Sequence, residues 1–471
     1  LVQGSTAEAR RNWSEVMLSL LLTGLAAISA GEPRIFALNA GTSVWDVAAE
    51  DINSDGLADI LAMCCDEKSD PLNKYLAVFL AGEDGGYTQK PTFTVPLDPV
   101  LSVAFPAEID GTAPRELVVA SAEGIVGFSY QGGTLEPILE LEFMSLFPSG
   151  TREPSFIKDA AKDIDGDGID EWFVPMPTGF AVRNPKGLVA QVRCDVDSGI
   201  RASSGMSISN KFPAYHAFAM EGSANHAIAF LSDEYADFAH GAGWKERERF
   251  KIPVNLGDKW DTSSNMEDIN GDGLPDLIVT QTQGTINLKA LTQIYFAEGP
   301  MKYPSTPTAK FESTGSFAAP MLKDVNGDKK LDIIFVNIPF GVKSIVNFFM
   351  WQKLGVDLQI HVNTGQGFNL KPDFTTSVSI EAPDGKEQSA YCMGDFDGDG
   401  KTDAAFGAGR EKLLLHSGGD AKFISQKPYL SLAVPSFGVA RPYKLNKNES
   451  EDILIFHPGI TRKEFIEVLL F

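Results

Sequence analysis

The chain has 471 residues, a hydrophobic content of 43%, and a formal net charge of -23 from 63 acidic against 40 basic residues. The apolar content excludes a disordered chain. The excess of acid sets the surface against nucleic-acid phosphates and anionic lipid headgroups, and clustered carboxylates favour divalent cations as counter-ions.

In chain order, Arg10 and Arg11 first precede an apolar run from Val16 to Ala30. It is short for a membrane span, which needs about 20 residues. Residues 1–30 read as a secretory-signal-like or anchor segment, with an ordinary buried helix as the alternative, and 31–471 as a single domain. No other segment is long and apolar enough to span a bilayer. Cys64, Cys65, Cys194 and Cys392 show neither zinc-ligand nor C-x-x-C spacing. Cys64, Cys65 and Cys392 fall in or beside apolar, strand-like runs and are expected to be buried. Disulfide pairing stays open.

One phrase then recurs, with oxygen-bearing side chains at positions 1, 3, 5 and 9. It places Asp51, Asn53, Asp55 and Asp59 in the first copy, and Asp163, Asp165, Asp167 and Glu171 in the second. Asp268, Asn270, Asp272 and Asp276 form the third, and Asp324, Asn326, Asp328 and Asp332 the fourth. Asp395, Asp397, Asp399 and Asp403 form the fifth. A short apolar run follows each, rich in β-branched or aromatic residues in most copies, and reads as a buried strand.

The first two intervals between copies are about twice the third, so degenerate copies are expected within them. Glu108, Asp110, Thr112 and Glu116 supply one, and residues 213–232 supply another that has lost its acids. A last copy begins at Lys444, with Asn446, Asn448 and Asp452. A second phrase follows later in several units: a strand, a Gly turn, an aromatic and then Pro, as at Tyr87 and Pro91 or Tyr303 and Pro307. The Pro marks an edge strand.

Units of about 55 residues with about four strands have the size of propeller blades. The expectation is an all-β fold, a β-propeller of four-stranded blades, eight by this count with seven as the alternative. Residues 33–40 are expected to complete the final blade. Unit six is long because 340–354 is inserted, and its apolar spacing predicts one short helical insertion.

Calcium takes six to eight oxygens, and alternate positions of a tight loop can point inward together. Position 7 adds a backbone carbonyl, from Leu57, Ile169, Leu274, Lys330 and Lys401. Gly at position 6 permits the sharp turn in four loops; Lys329 stands there in the 324–332 loop, which predicts weaker binding or an altered turn. An EF-hand would need Glu at position 12, where these loops carry Ala62, Val174, Val279, Phe335 and Phe406. About five Ca²⁺ sites are expected, with a sixth possible at Glu108 and none at 213–232 or 444–452.

The loop pattern before an apolar strand, at blade spacing, resembles the FG-GAP repeats of integrin α-chain propellers and the VCBS-type repeats of secreted bacterial proteins. The resemblance covers roughly 40–460 and implies Ca²⁺ at the residues named above. That family covers adhesion proteins, lectins and some propeller-based lyases, so membership does not fix function. The six histidines form no metal pairing, and neither a nucleophile elbow nor a phosphate-binding loop is present, so no catalytic residue is assigned. The expected function is a secreted, periplasmic or cell-surface adhesion scaffold for a glycan or protein partner. A polysaccharide lyase-like enzyme and a structural subunit docking through 340–354 are the alternatives.

Overall fold

The apolar runs behind the acidic loops are continuous because each becomes a strand covered on both faces. In the strand Asp59–Asp66, Ile60, Ala62 and Cys64 join one hydrophobic cluster, while Leu61 and Met63 join another. Side chains alternate across a strand, so one sheet supplies both of its neighbours. The computed structural model describes residues 32–202, 206–254, 260–284, 289–314, 320–337, 353–381, 388–419 and 423–471.

Eight sheets result, each a meander whose four principal strands are antiparallel neighbours. The first strands of blades one to eight are Val44–Glu50, Val103–Ala107, Ala161–Lys162, Ala214–Phe218, Trp260–Glu267, Met321–Lys323, Tyr391–Gly394 and Val439–Tyr443. These inner strands approach one another around the centre, and the fourth strand of each blade forms the outer edge. The outer strands Phe93–Leu97, Ala309–Thr314, Phe374–Glu381 and Leu430–Leu432 each follow the Pro that was expected to mark them.

The packing shows closure directly. Eight clusters of buried apolar residues bridge successive blades, and the cluster with Val47, Ile60, Leu454 and Phe456 bridges blade one to blade eight. Blade eight contains Val439–Tyr443, Asp452–Phe456 and Phe465–Leu470, and Arg34–Asn39 supplies its outer strand by pairing Arg34 with Leu470 through to Asn39 with Phe465. The two ends of the domain therefore meet within one sheet, and eight blades are settled against seven.

Two features go beyond the repeat. A two-stranded hairpin, Asp197–Ala202 with Met206–Lys211, separates blades three and four. The connector from blade two to blade three enters the centre, where Ser155–Phe156 pairs in parallel with Val103 and Ala104. Phe156 N–H donates to Asp46 Oδ2 of blade one at 2.9 Å. A 3-10 turn, Ala242–Trp244, is the helical element among the described residues. Residues 1–30 and 340–352 lie outside the described residues, while Lys353 and Leu354, placed in the helical insertion by sequence, open the strand Lys353–His361. Among the described residues no helix is long and apolar enough to cross a membrane. Cys64, Cys65 and Cys392 are buried thiols, and none of the four cysteines is paired.

If closure rests on the seam cluster, Leu454→Ala should cost about 2–5 kcal/mol of unfolding free energy. Ile35→Ala, exposed on the closing strand, should cost less than about 1 kcal/mol. Denaturant unfolding of both variants measures the difference; equal losses would contradict it.

Candidate metal centres

The acidic loops connect the first and second strands of their blades, so all lie on one face of the ring. Their five backbones close in the same way. Oδ2 of the position-1 Asp accepts the N–H of position 6, from Gly56, Gly168, Gly273, Lys329 and Gly400, at 2.7–3.0 Å. The position-3 oxygen accepts the N–H of position 5, and position-5 Oδ1 accepts the N–H of position 7. The latter bonds come from Leu57, Ile169, Leu274, Lys330 and Lys401 at 2.8–3.0 Å. Oδ1 of the same position-1 Asp accepts an N–H of position 4 or 5 at 2.7–3.2 Å, so both of its oxygens wrap the turn.

This turn needs two left-handed residues. Position 6 has φ between 80° and 84° at its four glycines, and Lys329 adopts 67°. The fourth loop thus keeps the common turn, with strain, in place of the altered turn that was one expectation. Position 4 is left-handed too, at Ser54, Gly166, Gly271, Gly327 and Gly398. Sequence reasoning missed that requirement, although Gly at four of these five positions signalled it.

Position 9 is the deepest. Asp59, Glu171, Asp276, Asp332 and Asp403 are fully buried. One oxygen of each accepts the N–H of position 2, as from Ile269 to Asp276 Oδ2 at 3.0 Å. In the four aspartates the other oxygen accepts an N–H beyond the third strand, as from Ala297 to Asp276 Oδ1 at 2.8 Å. Position 9 therefore fastens loop to blade, a role the ligand reading had left out. Burial pushes Asp59, Asp276 and Asp332 up to about 6, and Glu171 and Asp403 up to about 7. A nearby cation would lower them again.

Three acid groups bring one ligand atom each within 4.8 Å of one another: Asp163, Asp165 and Glu171; Asp395, Asp397 and Asp399; and Glu108, Asp110 and Glu116. The oxygen-only donors suit a hard cation such as Ca²⁺. Residues at positions 1, 3, 5 and 9, with the position-7 carbonyl, would hold it. Lys186 and Lys330 place an ammonium on the position-5 carboxylates Asp167 and Asp328, at 2.9 and 3.1 Å.

The loops are also joined to one another. The N–H of position 8 donates to a position-1 or position-2 carbonyl of the preceding loop: Asp170 to Glu108, Leu331 to Ile269, Glu451 to Asp395, and Ala58 to Leu445 across the seam. Thr402 uses its hydroxyl on the Asp324 carbonyl at 2.9 Å. Pro275 holds position 8 in the fifth blade and has no N–H to give.

At the centre of the same face, a cavity of about 280 Å³ is lined by Glu50, Arg115, Lys158, Arg441 and Tyr443 among others. Arg441 pairs with Asp46 at 2.8 Å and Arg115 with Asp170 at 2.6 Å, so both guanidinium groups are engaged within the ring. The histidines do not converge there: His361 and His416 each bond a backbone carbonyl through Nδ1 at 2.7 Å in blades six and seven.

Two outcomes test the loop geometry. Lys329→Gly should stabilise by up to about 1 kcal/mol, because a left-handed non-Gly residue costs about 1–2 kcal/mol, against about 0.5–1 for the freedom Gly loses. Gly400→Ala should destabilise by about 1 kcal/mol; calorimetry that finds the reverse signs would contradict the turn. The position-9 carboxylates have folded pKa values raised above their unfolded ones. In chelator their contribution to stability is complete below about pH 4 and is lost as pH rises through 6–7. Cation binding needs the ionised forms, so titration calorimetry should find weaker Ca²⁺ affinity and more proton release at pH 5.5 than at 7.5. Equal affinity at both would contradict it.

Residues 268–335 match the family model described as FG-GAP-like repeat, which spans the third and fourth acidic loops. No curated protein matches the chain. Among solved structures, it is similar to BBS1N in complex with ARL6DN, with 10% identity over 92% of this chain and 95% of that one, at a TM-score of 0.39. The V. cholerae biofilm matrix protein Bap1 shows 11% identity over 92% and 88%, at 0.33. A mutant of NanB sialidase from Streptococcus pneumoniae shows 11% over 92% and 70%, also at 0.33. With acidic loops repeated around the ring and a family match across two of them, the chain is an eight-bladed β-propeller that carries an FG-GAP-like repeat at 268–335.

Proposed function

We propose that this propeller is a calcium-stabilised scaffold that presents its ring faces to a protein or glycan partner outside the cytosol. The observation that carries the calcium half is the common wrapping of five loops around a position-1 Asp, each with a buried carboxylate at its base, two of which gather three carboxylates within 4.8 Å. Left without a cation, those loops hold like charges together, against a net charge of -23. Calcium modules of extracellular type have dissociation constants of about 10⁻⁴–10⁻³ M. Such sites fill at extracellular calcium levels, which supports a secreted, periplasmic or surface location.

The scaffold half follows from where the polar chemistry of the fold is spent. Arg115 and Arg441 are tied to aspartates, and the buried acids fasten loops, so the obvious polar groups serve the ring itself. Recognition then falls to the loops and outer edges, as is usual for a rigid frame.

At about ten times Kd, calcium should add about 1.4 kcal/mol per occupied site. Removing it with EGTA at low salt should lower the melting temperature, and magnesium should restore less than calcium. An unchanged melting temperature would remove the calcium reading. Pull-down and glycan-array screens in calcium and in EGTA test the partner: calcium-dependent capture is expected, and no capture in either condition would count against a binding scaffold.

A further inference from the structure

The eighth loop departs from the five acidic loops at its first position, where Lys444 stands in place of Asp. Its ammonium turns back into the loop and donates to the carbonyls of Asn448, at 3.0 Å, and Glu449. Those are positions 5 and 6, which in the acidic loops belong to the turn around the ligand oxygens. The rest of the loop keeps the common frame. Asn446 Oδ1 accepts the Asn448 N–H at 2.9 Å, and Asp452 at position 9 accepts the Leu445 N–H at 3.0 Å. Asp452 is fully buried and also takes the Asn446 amide and the Phe471 N–H, the latter at 2.8 Å. A positive group, exposed to solvent, is therefore bonded across a loop of the same build and supplied by the chain.

This loop lies at the seam. Leu445, next to Lys444, offers the carbonyl that Ala58 of the first loop reaches at 3.3 Å. Lys447 extends across the same junction to the Asp55 carbonyl at 3.2 Å. Blade eight is also the sheet that Arg34–Asn39 completes without a covalent link to its neighbours in the sheet. A junction of that kind is the one at which loss of a weakly held ion would open the ring.

We infer that Lys444 is a tethered cation, filling in the eighth loop the role a divalent ion has in the acidic loops, so that blades eight and one close without metal. The contrast with the acidic loops rests on the calcium reading above; the closure by Lys444 does not. A tethered ammonium is held at an effective concentration that dilution and chelation leave untouched. Calcium withdrawal then loosens the acidic blades while the two ends of the domain stay joined.

The test uses the full chain, with melting temperature measured in calcium and in EGTA and bound calcium counted by equilibrium dialysis. Lys444→Met should lower the melting temperature by about 1–3 °C to a similar extent in both conditions, leave the number of bound ions unchanged, and speed amide exchange in Arg34–Asn39. Lys444→Asp combined with Glu449→Gly should gain one bound ion per chain and make closure calcium-dependent. If Lys444→Met matches the wild type in EGTA, or loses a bound ion, the inference falls. Should the double variant fail to fold, the methionine variant decides alone. Should wild-type chain bind no calcium, the calcium reading fails, while the Lys444→Met result in EGTA still settles the seam.

Discussion

Seven of the eight blades hang on a buried carboxylate at the base of a loop. Asp276 shows the pattern: one oxygen takes the Ile269 N–H that starts the loop, and the other takes the Ala297 N–H beyond the third strand. Two strands and the loop between inner and second strand are thus fixed by one side chain. Asp59, Asp332, Asp403 and Asp452 repeat it with the same two kinds of donor. Burying that charge is costly unless donors surround it. Backbone donors meet part of the cost, and a cation beside the loop would meet more.

From that clip the architecture follows outward. The loop it holds sends a position-8 donor to the preceding loop, so most junctions are stitched on the loop face. Beneath the stitches, each second strand divides its side chains between the two neighbouring interfaces. The blades therefore share both an apolar layer and a polar girdle. In such an arrangement a charge change in one loop acts on its neighbour through a hydrogen bond of known partners.

Much of this was legible in the sequence because it obeys short periods. Alternation at positions 1, 3, 5 and 9 marked the loops, and the apolar runs after them marked the strands with two covered faces. The Pro after each Gly turn marked outer edges, and PRIFALNA at 33–40 announced the closing strand. What stayed hidden depends on contacts without a period. Ser155–Phe156 enters the centre because of one parallel pairing and one bond to Asp46, far away in sequence. Lys444 only marked the start of a unit expected to bind no ion, since sequence does not tell a free ammonium from one bonded back onto its own loop. Position 9 looked like a ligand alone, because its backbone partners lie beyond the third strand.

The most direct measurement is a crystal structure grown in calcium, with anomalous differences collected at long wavelength. Calcium in the acidic loops predicts a peak beside Asp51, Asp163, Asp268, Asp324 and Asp395, and none beside Lys444. Acidic loops without peaks, while their turns stay as described, would contradict the central claim.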